Sequence, residues 1–483
     1  MNYSIIRNLT LCLAIALTGC AINPVTGDAD FVTISESDEI AQGKQYHQSI
    51  IAQYGVYDDP ELQSYVNKIG QKLAAKSHRK HLKYHFTVLD SPDINAFALP
   101  GGYIYITRGI MAYLNSEAEI AGVLGHEIGH VTARHSVRQQ SGQFATNLLN
   151  VFVTVATGNE SLGQLSNQLT TGLVRGYGRD HELEADKLGA QYLHKVGYNP
   201  ETMLNVIGVL KDQEIYEKAL AKKQNREANI YHGVYSTHPK NDKRLKTVIR
   251  AAKKLSDKKY LDDNVAKYHK MIDGMSWGHN VAQGIVVKNR FIHPGLGIAI
   301  QFPAKWQVAN RPDALLARDF DEGTVVQMTL LELKDNEDLK TALKRHTRDD
   351  KLAVKTENYG ASATTQVSMG DNKQPARVSA LKLDNKQAIF IIGTNTSAAF
   401  TKADAELIKI NKSFSRLSKK QIADIKAPYL KLIKAKPGDS YSKLSTKSAI
   451  DYDAQSVLRL LNRAFPKGEI TPGQDLKTIV VSD

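Results

Sequence analysis

The chain has 483 residues, 42% of them apolar and 23% charged, which leaves room for two or three domains with real cores. Its formal net charge is +13, scattered over many segments and without clusters of basic and aromatic residues. That pattern excludes a nucleic-acid partner and suits a protein that works beside anionic lipid headgroups or cell-wall polymers.

At the N-terminus, Arg7 precedes an apolar run from Leu9 to Leu17 that is too short to span a bilayer as a stable helix, the pattern of an export signal. Leu17-Thr18-Gly19-Cys20 resembles a bacterial lipoprotein signal, in which residues 1–19 are removed and Cys20 is acylated; a plain signal peptide is the runner-up. Ala21, standing where Asp would retain the protein elsewhere, implies a periplasmic protein anchored to the outer membrane of a Gram-negative bacterium by its lipid. Cys12 leaves with the signal and Cys20 is used for lipid, so the mature chain has no thiol left for a disulfide. Farther on, Leu148 to Thr157 is apolar but too short to cross a membrane, and Gly158 stops it.

Asp93 to Pro100 carries loop signals, and Pro100-Gly101-Gly102 marks a turn. Tyr103-Ile104-Tyr105-Ile106-Thr107, β-branched and aromatic, reads as a strand. An edge strand here could pair with an extended peptide by β-augmentation; an ordinary core hairpin is the alternative.

A helix is predicted from about Ser116 to Arg138, opened by an S-x-x-E capping box of Ser116 and Glu119 ahead of Ile120, Val123, Leu124 and Ile128. Within it stands His126-Glu127-Ile128-Gly129-His130. Histidines four apart share one helix face, so both imidazoles reach one ion, and Glu127 can take a proton from a water at the metal's open position. A solvated surface helix is the competing reading, against which an H-E-x-x-H arising by chance in such a chain is an event on the order of a few per cent. Gly125 and Gly129 weaken the helix but let another element approach closely.

Zinc needs a third protein ligand. Ala133 and Ser136 occupy the places where a metzincin would carry its glycine and third histidine, and His135 falls about half a turn from the metal face of a continuous helix. The better candidates lie in Arg179-Asp180-His181-Glu182-Leu183-Glu184-Ala185-Asp186, where Glu182 and Asp186 are four apart on a second helix. One carboxylate can bind the metal while the other orients a histidine N–H; Glu184 points elsewhere, and a solvated acidic face is the bland alternative. Gly197 ends this helix, and Asn199-Pro200 reads as the N-cap and first position of the next. The Gly-rich stretch Gly158 to Gly178 is either a mobile cover over the cleft or packed helix.

From about Pro60 to Val248 the chain resembles the HtpX/BepA-type zinc metallopeptidases, gluzincins related to the eukaryotic prenyl-protein proteases. The resemblance is carried by Asn95-Ala96-Phe97-Ala98-Leu99-Pro100-Gly101-Gly102-Tyr103-Ile104-Tyr105-Ile106-Thr107-Arg108-Gly109, by His126 to His130 and by Glu182 to Asp186. It implies one zinc ion held by His126, His130 and Glu182, Glu127 as general base, and Asp186 as the carboxylate behind a ligand. Substrate contact is expected at Asn95, Ala96 and Phe97. Ser236-Thr237-His238-Pro239 is similar to an S-x-H-P stretch of the BepA-like branch, which implies that His238 approaches the zinc or stabilises the oxyanion; a plain loop histidine is the alternative. Arg179 could also meet the oxyanion, against a structural ion pair.

Ala251 to Asn264, with Lys253, Lys254, Lys258 and Lys259, reads as an exposed helix or linker closing this domain. From Gly284 to about Arg416 the texture changes: Gly295 to Pro303, Val325 to Leu333, Arg377 to Leu383 and Ala388 to Thr394 are strand-like, Leu339 to Arg345 is helical, and Trp306 is a core residue. The opening of this stretch weakly resembles the PsbP/Mog-like fold. Lys436-Pro437-Gly438-Asp439-Ser440, Leu458 to Asn462 and Ile470 to Leu476 resemble a LysM module, a small β-α-α-β unit of a kind that often binds peptidoglycan.

The expected architecture is multidomain: a mainly α-helical zincin catalytic domain with a small β-sheet at 21–275, an α+β domain with an antiparallel sheet at 276–425, and a LysM-like module at 426–483. The expected function is zinc-dependent cleavage of misfolded or unassembled envelope proteins, with peptidoglycan as a further partner. Two alternatives stand beside it. One is a zinc amidase acting on peptidoglycan stem peptides, and the other is a chaperone-like outer-membrane assembly factor with gated hydrolysis.

Overall fold

The computed structural model describes residues 20–141, 180–224, 228, 259–281, 284–287, 289–310, 314–319, 321–369, 372–395, 400–450 and 452–481. Leu148 to Thr157, Gly158 to Gly178, Arg179, His238 and Lys253 to Lys258 lie outside them. The chain divides into two compact α+β units: Met1–Met275 with Leu430–Lys447 and Gln455–Thr478, and Ser276–Tyr429 with Ser448–Ala454 and Ile479–Asp483.

In the first unit, β1 (Cys20–Ile22) pairs antiparallel with β2 (Ala29–Phe31). Helix α1 (Glu36–Tyr54) is capped by Ser35, whose side chain accepts from the Asp38 N–H. Helix α2 (Pro60–Ala74) starts on Asp59-Pro60: the carboxylate accepts from the Leu62 N–H, and the proline needs no partner for an N–H it lacks. Arg79, just beyond α2, is buried and is held by Glu39 at 2.8 Å and Glu36 at 2.7 Å, which ties it to α1. A buried guanidinium requires such a pairing.

Three strands follow, β3 (His85–Leu89), β4 (Ala96–Leu99) and β5 (Tyr103–Thr107), in the order β3-β5-β4, with β3 parallel and β4 antiparallel to β5. Tyr103 to Thr107 is a strand as expected, but a central one, buried throughout. Strand β4 is one of the two outer strands, in a stretch that carries loop signals; registering Ala96 opposite Ile106 and Leu99 opposite Tyr103 gives its backbone partners that outweigh local propensity. Gly101 and Gly102, at φ 76° and 94°, make the turn between β4 and β5.

Helix α3 (Arg108–Tyr113) leads into α4 (Glu117–Thr132), which is buried along nearly its whole length. Ser116 caps α4 by accepting from the Glu119 N–H at 3.2 Å, yet the Glu119 carboxylate takes the Asn115 N–H at 2.7 Å, so the capping box is shifted by one residue. The helix stops at Thr132 rather than at Arg138, because Arg134 turns left-handed (φ 53°). Its guanidinium is fixed at 2.9 Å from Glu39 and at 2.8 Å from the Ile34 carbonyl oxygen. A separate helix, α5, covers 135–141, and α6 covers 180–196, ended by Gly197 at φ 94°. Helix α7 (Thr202–Lys223) begins two residues after the expected Pro200, since Asn199 closes a turn onto the Glu201 N–H at 3.0 Å instead of capping the helix. Helix α8 is Val265–Ile272. Among the described residues no helix is long and apolar enough to cross a membrane.

The second unit holds two antiparallel sheets. One has four strands, β6 (Ile285–Val287), β7 (Arg290–His293), β8 (Ile298–Gln301) and β16 (Ser415–Arg416), in the order β16-β8-β7-β6. The other runs β12-β13-β14-β15-β11-β10-β9, from β9 (Gln307–Asn310), β10 (Leu315–Arg318), β11 (Thr324–Glu332), β12 (Lys355–Glu357), β13 (Gly360–Met369), β14 (Asn372–Lys382) and β15 (Gln387–Asn395). Helices α9 (Leu339–Thr347) and α10 (Phe400–Lys412) accompany them, and Arg377 in β14 holds Asp404 in α10 at 2.5 Å. The strands and helix expected here are present, and Trp306 is buried in a core shared by Ile300, Phe302, Val326, Ile389 and Leu407. Strand β13 was not anticipated; its Ala-Ser-Ala-Thr-Thr run lacks bulky apolar alternation.

The tail consists of β17 (Pro428–Lys434), a short helix at Tyr441–Ser445, α11 (Ala454–Leu461) and β18 (Asp475–Val481), with β17 paired to β18. Within the first unit, tail residues grip the region around α4. The buried Lys477 Nζ donates to the carbonyl oxygens of Ala112 at 2.7 Å and Leu114 at 2.6 Å, and Arg463 pairs with Glu119. Replacing Lys477 by Met keeps the bulk but orphans those carbonyls, so the unfolding free energy should fall by about 2 kcal/mol. Urea titration would read this as a lower midpoint at unchanged slope, and an unmoved midpoint would show that the amine carries no net stabilisation.

Candidate metal centre

The site is assembled where α6 crosses α4 on a face made of small residues. A Cβ on Gly129 would stand 2.9 Å from the Ala185 oxygen and 3.0 Å from its Cα, and one on Gly125 would stand 2.8 Å from Leu193 Cδ1. A side chain at Gly129 would meet the backbone of the facing helix, and one at Gly125 would press on a leucine side-chain end, so the two positions that weaken the helix are the ones that let Glu182 and Asp186 come close to the histidines.

His126 and His130, one turn apart on α4, bring their Nε2 atoms to 3.0 Å of each other. Glu182 on α6 places Oε1 at 3.3 Å from His130 Nε2 and Oε2 at 3.6 Å from His126 Nε2. Ligand atoms of these three residues all lie within 4.8 Å of one another. In a tetrahedral zinc site with bonds of about 2.0–2.1 Å, donor atoms are separated by roughly 3.4 Å, so the spacing fits. The donor chemistry fits as well: two imidazoles and a carboxylate converge, three lone pairs that need a cation between them.

The supporting contacts fix which lone pairs face inward. His126 Nδ1 lies 2.9 Å from Oδ1 of Asp186, which is fully buried. A ring that donates Nδ1–H to this carboxylate keeps Nε2 as an acceptor for metal. Burial lowers the pKa of His130 and holds His135 well below the ordinary histidine range, so both rings are neutral at pH 7.

His130 has its own support, which sequence reasoning missed. His130 Nδ1 meets His135 Nδ1 at 2.8 Å, and His135 Nε2 meets Glu184 Oε2 at 3.0 Å. Arg138 Nη1 donates to the same carboxylate oxygen at 3.0 Å, and the His135 ring stacks on His181 with centroids 4.2 Å apart. With His130 bound to metal through Nε2, its Nδ1–H donates to His135, whose Nε2–H donates to Glu184. The half-turn displacement expected of His135 assumed an unbroken helix, and the left-handed Arg134 re-aims it onto the back of His130. No periodicity announces that break.

Glu127 is buried beside His126 and lines a pocket with it. Of the expected substrate residues, Ala96 lines this same pocket. Phe97 faces the other way and stacks on Tyr105 at 4.9 Å, while the Asn95 carbonyl oxygen accepts from the Thr107 N–H and the Asn95 N–H donates to the Thr107 hydroxyl. His238 and Arg179 are outside the described residues.

Residues 60–252 match peptidase family M48. This stretch is an M48 peptidase domain. The family uses zinc, and His126, His130 and Glu182 are the group in this domain that could hold it. The chain is 32% identical over 203 residues to the β-barrel assembly-enhancing protease of Yersinia pestis, covering 40% of this chain and 42% of that protein. It is 32% identical over 197 residues to the mitochondrial metalloendopeptidase OMA1 of Arabidopsis thaliana, covering 41% of this chain and 37% of that one. Each match thus spans less than half of the relative's length. Cyanobacterial PsbP from Synechocystis sp. PCC 6803 aligns over 29% of this chain and 98% of its own at 14% identity and a TM-score of 0.22, a likeness too low to bear on the fold.

The histidine relay behind His130 has a measurable consequence. Glu184→Ala should weaken zinc binding by about 10- to 100-fold in a chelator competition titration, as loss of such outer partners does elsewhere. An affinity equal to the parent's would show that His130 needs no such support.

Proposed function

We propose that this chain is a zinc endopeptidase of the bacterial periplasm, held at the outer membrane by a lipid on Cys20, that cleaves misfolded or unassembled envelope proteins. The observation that carries the reading is the convergence of His126, His130 and Glu182 on one point, with Asp186 behind one histidine and Glu127 beside it. Bound there, zinc would supply the Lewis acidity that makes a water deprotonable near neutral pH and polarises a peptide carbonyl. Glu127 takes the proton of that water and later delivers it to the departing amine nitrogen. Asp186 holds His126 in the ligating tautomer. His238 is the proposed oxyanion partner, on the strength of the Ser236-Thr237-His238-Pro239 motif. The side of β4 that does not face β5 offers backbone donors and acceptors to an extended substrate.

The substrate class is supported by the name of the Yersinia pestis relative, a protease that enhances β-barrel assembly, and the location by the Leu17-Thr18-Gly19-Cys20 motif. The β-α-α-β order of the tail supports a LysM-like module at 426–483 with peptidoglycan as its partner. The boundaries at 21–275 and 276–425 remain the proposed extents of the peptidase and α+β domains.

The test uses protein beginning after Cys20, scored for zinc content and casein cleavage. Glu127→Gln should keep its zinc and lose cleavage by about 10²- to 10⁴-fold, the usual worth of a general base. Glu182→Ala should lose the zinc itself. A parent protein that binds no zinc would overturn the peptidase reading.

A further inference from the structure

The ribbon of β1 and β2 has two faces that differ in kind. Cys20 registers opposite Phe31, Ala21 opposite Asp30 and Ile22 opposite Ala29. Positions paired across such a ribbon share a face, as do alternate positions along a strand. Ile22, Ala29 and Phe31 therefore share one face with the Cys20 position, and Asp30 stands on the other. The first face is open. Phe31 is 40% exposed, and Ile22, at 76%, is the barest large apolar side chain among the described residues.

The second face is fastened to the body of the peptidase. Asp30 Oδ2 accepts from Asn23 Nδ2 at 2.8 Å and pairs with Arg138 Nε on α5 at 3.3 Å. Just past the ribbon, the Thr33 N–H donates to the Ser141 hydroxyl at the end of α5, at 3.0 Å. The connection between the strands is closed on itself: Asn23 Oδ1 accepts from the N–H groups of Val25 and Thr26 at 2.8 and 3.2 Å. Arg138 is the same residue that holds Glu184 behind His135 and His130. One guanidinium thus joins the ribbon to the support of a metal ligand.

We propose that Ile22 and Phe31 form a membrane-docking surface whose occupant is the lipid bilayer itself, so that the peptidase lies against the membrane instead of swinging from a tether. The proposal rests on the reading of Cys20 as acylated, and distance decides it. The headgroup layer on each side of a bilayer is about 6 Å deep. Apolar side chains at the interface sink about 5–10 Å into it. Two residues of strand span about 7 Å, and paired strands stand about 4.8 Å apart. With acyl chains on Cys20 in the bilayer, Ile22 and Phe31 have no length of chain on which to stand clear of the headgroups. Their face is apolar, as that depth requires. The acyl chains already supply the hold, so the ribbon contributes orientation. Its other face, through Arg138, sets how the metal centre is presented. The substrates met in that position are polypeptides lying on the lipid surface.

The surface is tested in the lipidated, mature protein reconstituted into phosphatidylethanolamine and phosphatidylglycerol vesicles. Phe31→Trp is compared with Val56→Trp, another exposed apolar position of the same unit, after subtraction of the parent's fluorescence. The tryptophan at 31 should be quenched by brominated acyl chains and be at least fivefold less accessible to acrylamide than the one at 56. Equal accessibility with no bromine quenching, in protein whose mass shows the acyl chains, overturns the proposal and leaves the lipoprotein reading standing.

A second measurement needs no lipid on the chain. The mature Cys20→Ser protein is floated with the same vesicles beside a form that also carries Ile22→Glu and Phe31→Glu. Removing both apolar side chains should weaken partitioning about tenfold, as expected for two side chains that leave water on binding. Equal partitioning overturns the surface. Should both forms dimerise at the concentrations used, with the double glutamate form alone reverting to monomer, the patch belongs to a second copy and the proposal also falls. A tenfold difference in a protein that carries no acyl chain when isolated from cells would keep the surface and sink the lipoprotein reading.

Discussion

The close crossing of α4 and α6 is the constraint on which the rest of the site depends. Gly125 and Gly129 on one helix meet Ala185 and Gly189 on the other, and a Cβ at Gly189 would stand 3.0 Å from the His126 backbone nitrogen. Only such a backbone-to-backbone approach puts a glutamate side chain, with its short reach, onto two histidines of the facing helix. Helix propensity is given up at two buried positions, at a cost of about 1 kcal/mol each, and geometry is gained that no longer residue could supply. Everything chemical in the site, from the donor spacing to the orientation of the rings, follows from that separation.

Around this crossing, orientation is imposed by buried charge. Asp186 sets His126, while Glu184 and Arg138 set His135 and through it His130. Glu39 holds both Arg79 and Arg134, and thereby fixes the turn that re-aims His135. Buried ions of this kind add little net stability, but breaking one leaves an uncompensated charge, so the arrangement has few alternatives. The ligand side of the site is held in place for that reason, and a pocket lined by Ala96, His126 and Glu127 lies beside it.

The parts that were legible in the sequence are those encoded by spacing and end signals. His126 and His130 four apart, Ser116 before an apolar periodic run, Gly197 after another and the aromatic strand Tyr103 to Thr107 each declare themselves locally. Glu182 and Asp186 were legible as a pair of candidates, and a family resemblance was needed to assign the ligand role to Glu182. What could not be read depends on contacts made across the chain. Strand β4 exists because β5 pairs with it, despite its loop-like flanks. The stop at Thr132 exists because Arg134 finds Glu39, nearly a hundred positions earlier. The role of His135 follows from that stop and so was doubly hidden. In the second unit, β13 has too little apolar patterning to announce itself and is recruited by β14 through nine paired positions.

The attachment of Lys477 and Arg463 to the region around α4 also has a consequence in time. Carbonyls at the end of α3 and the carboxylate of Glu119 in the first turn of α4 find their partners on residues more than three hundred positions downstream. A chain emerging from a ribosome presents the two histidines long before it presents those partners. The metal-binding helix therefore settles only once nearly the whole polypeptide has been delivered.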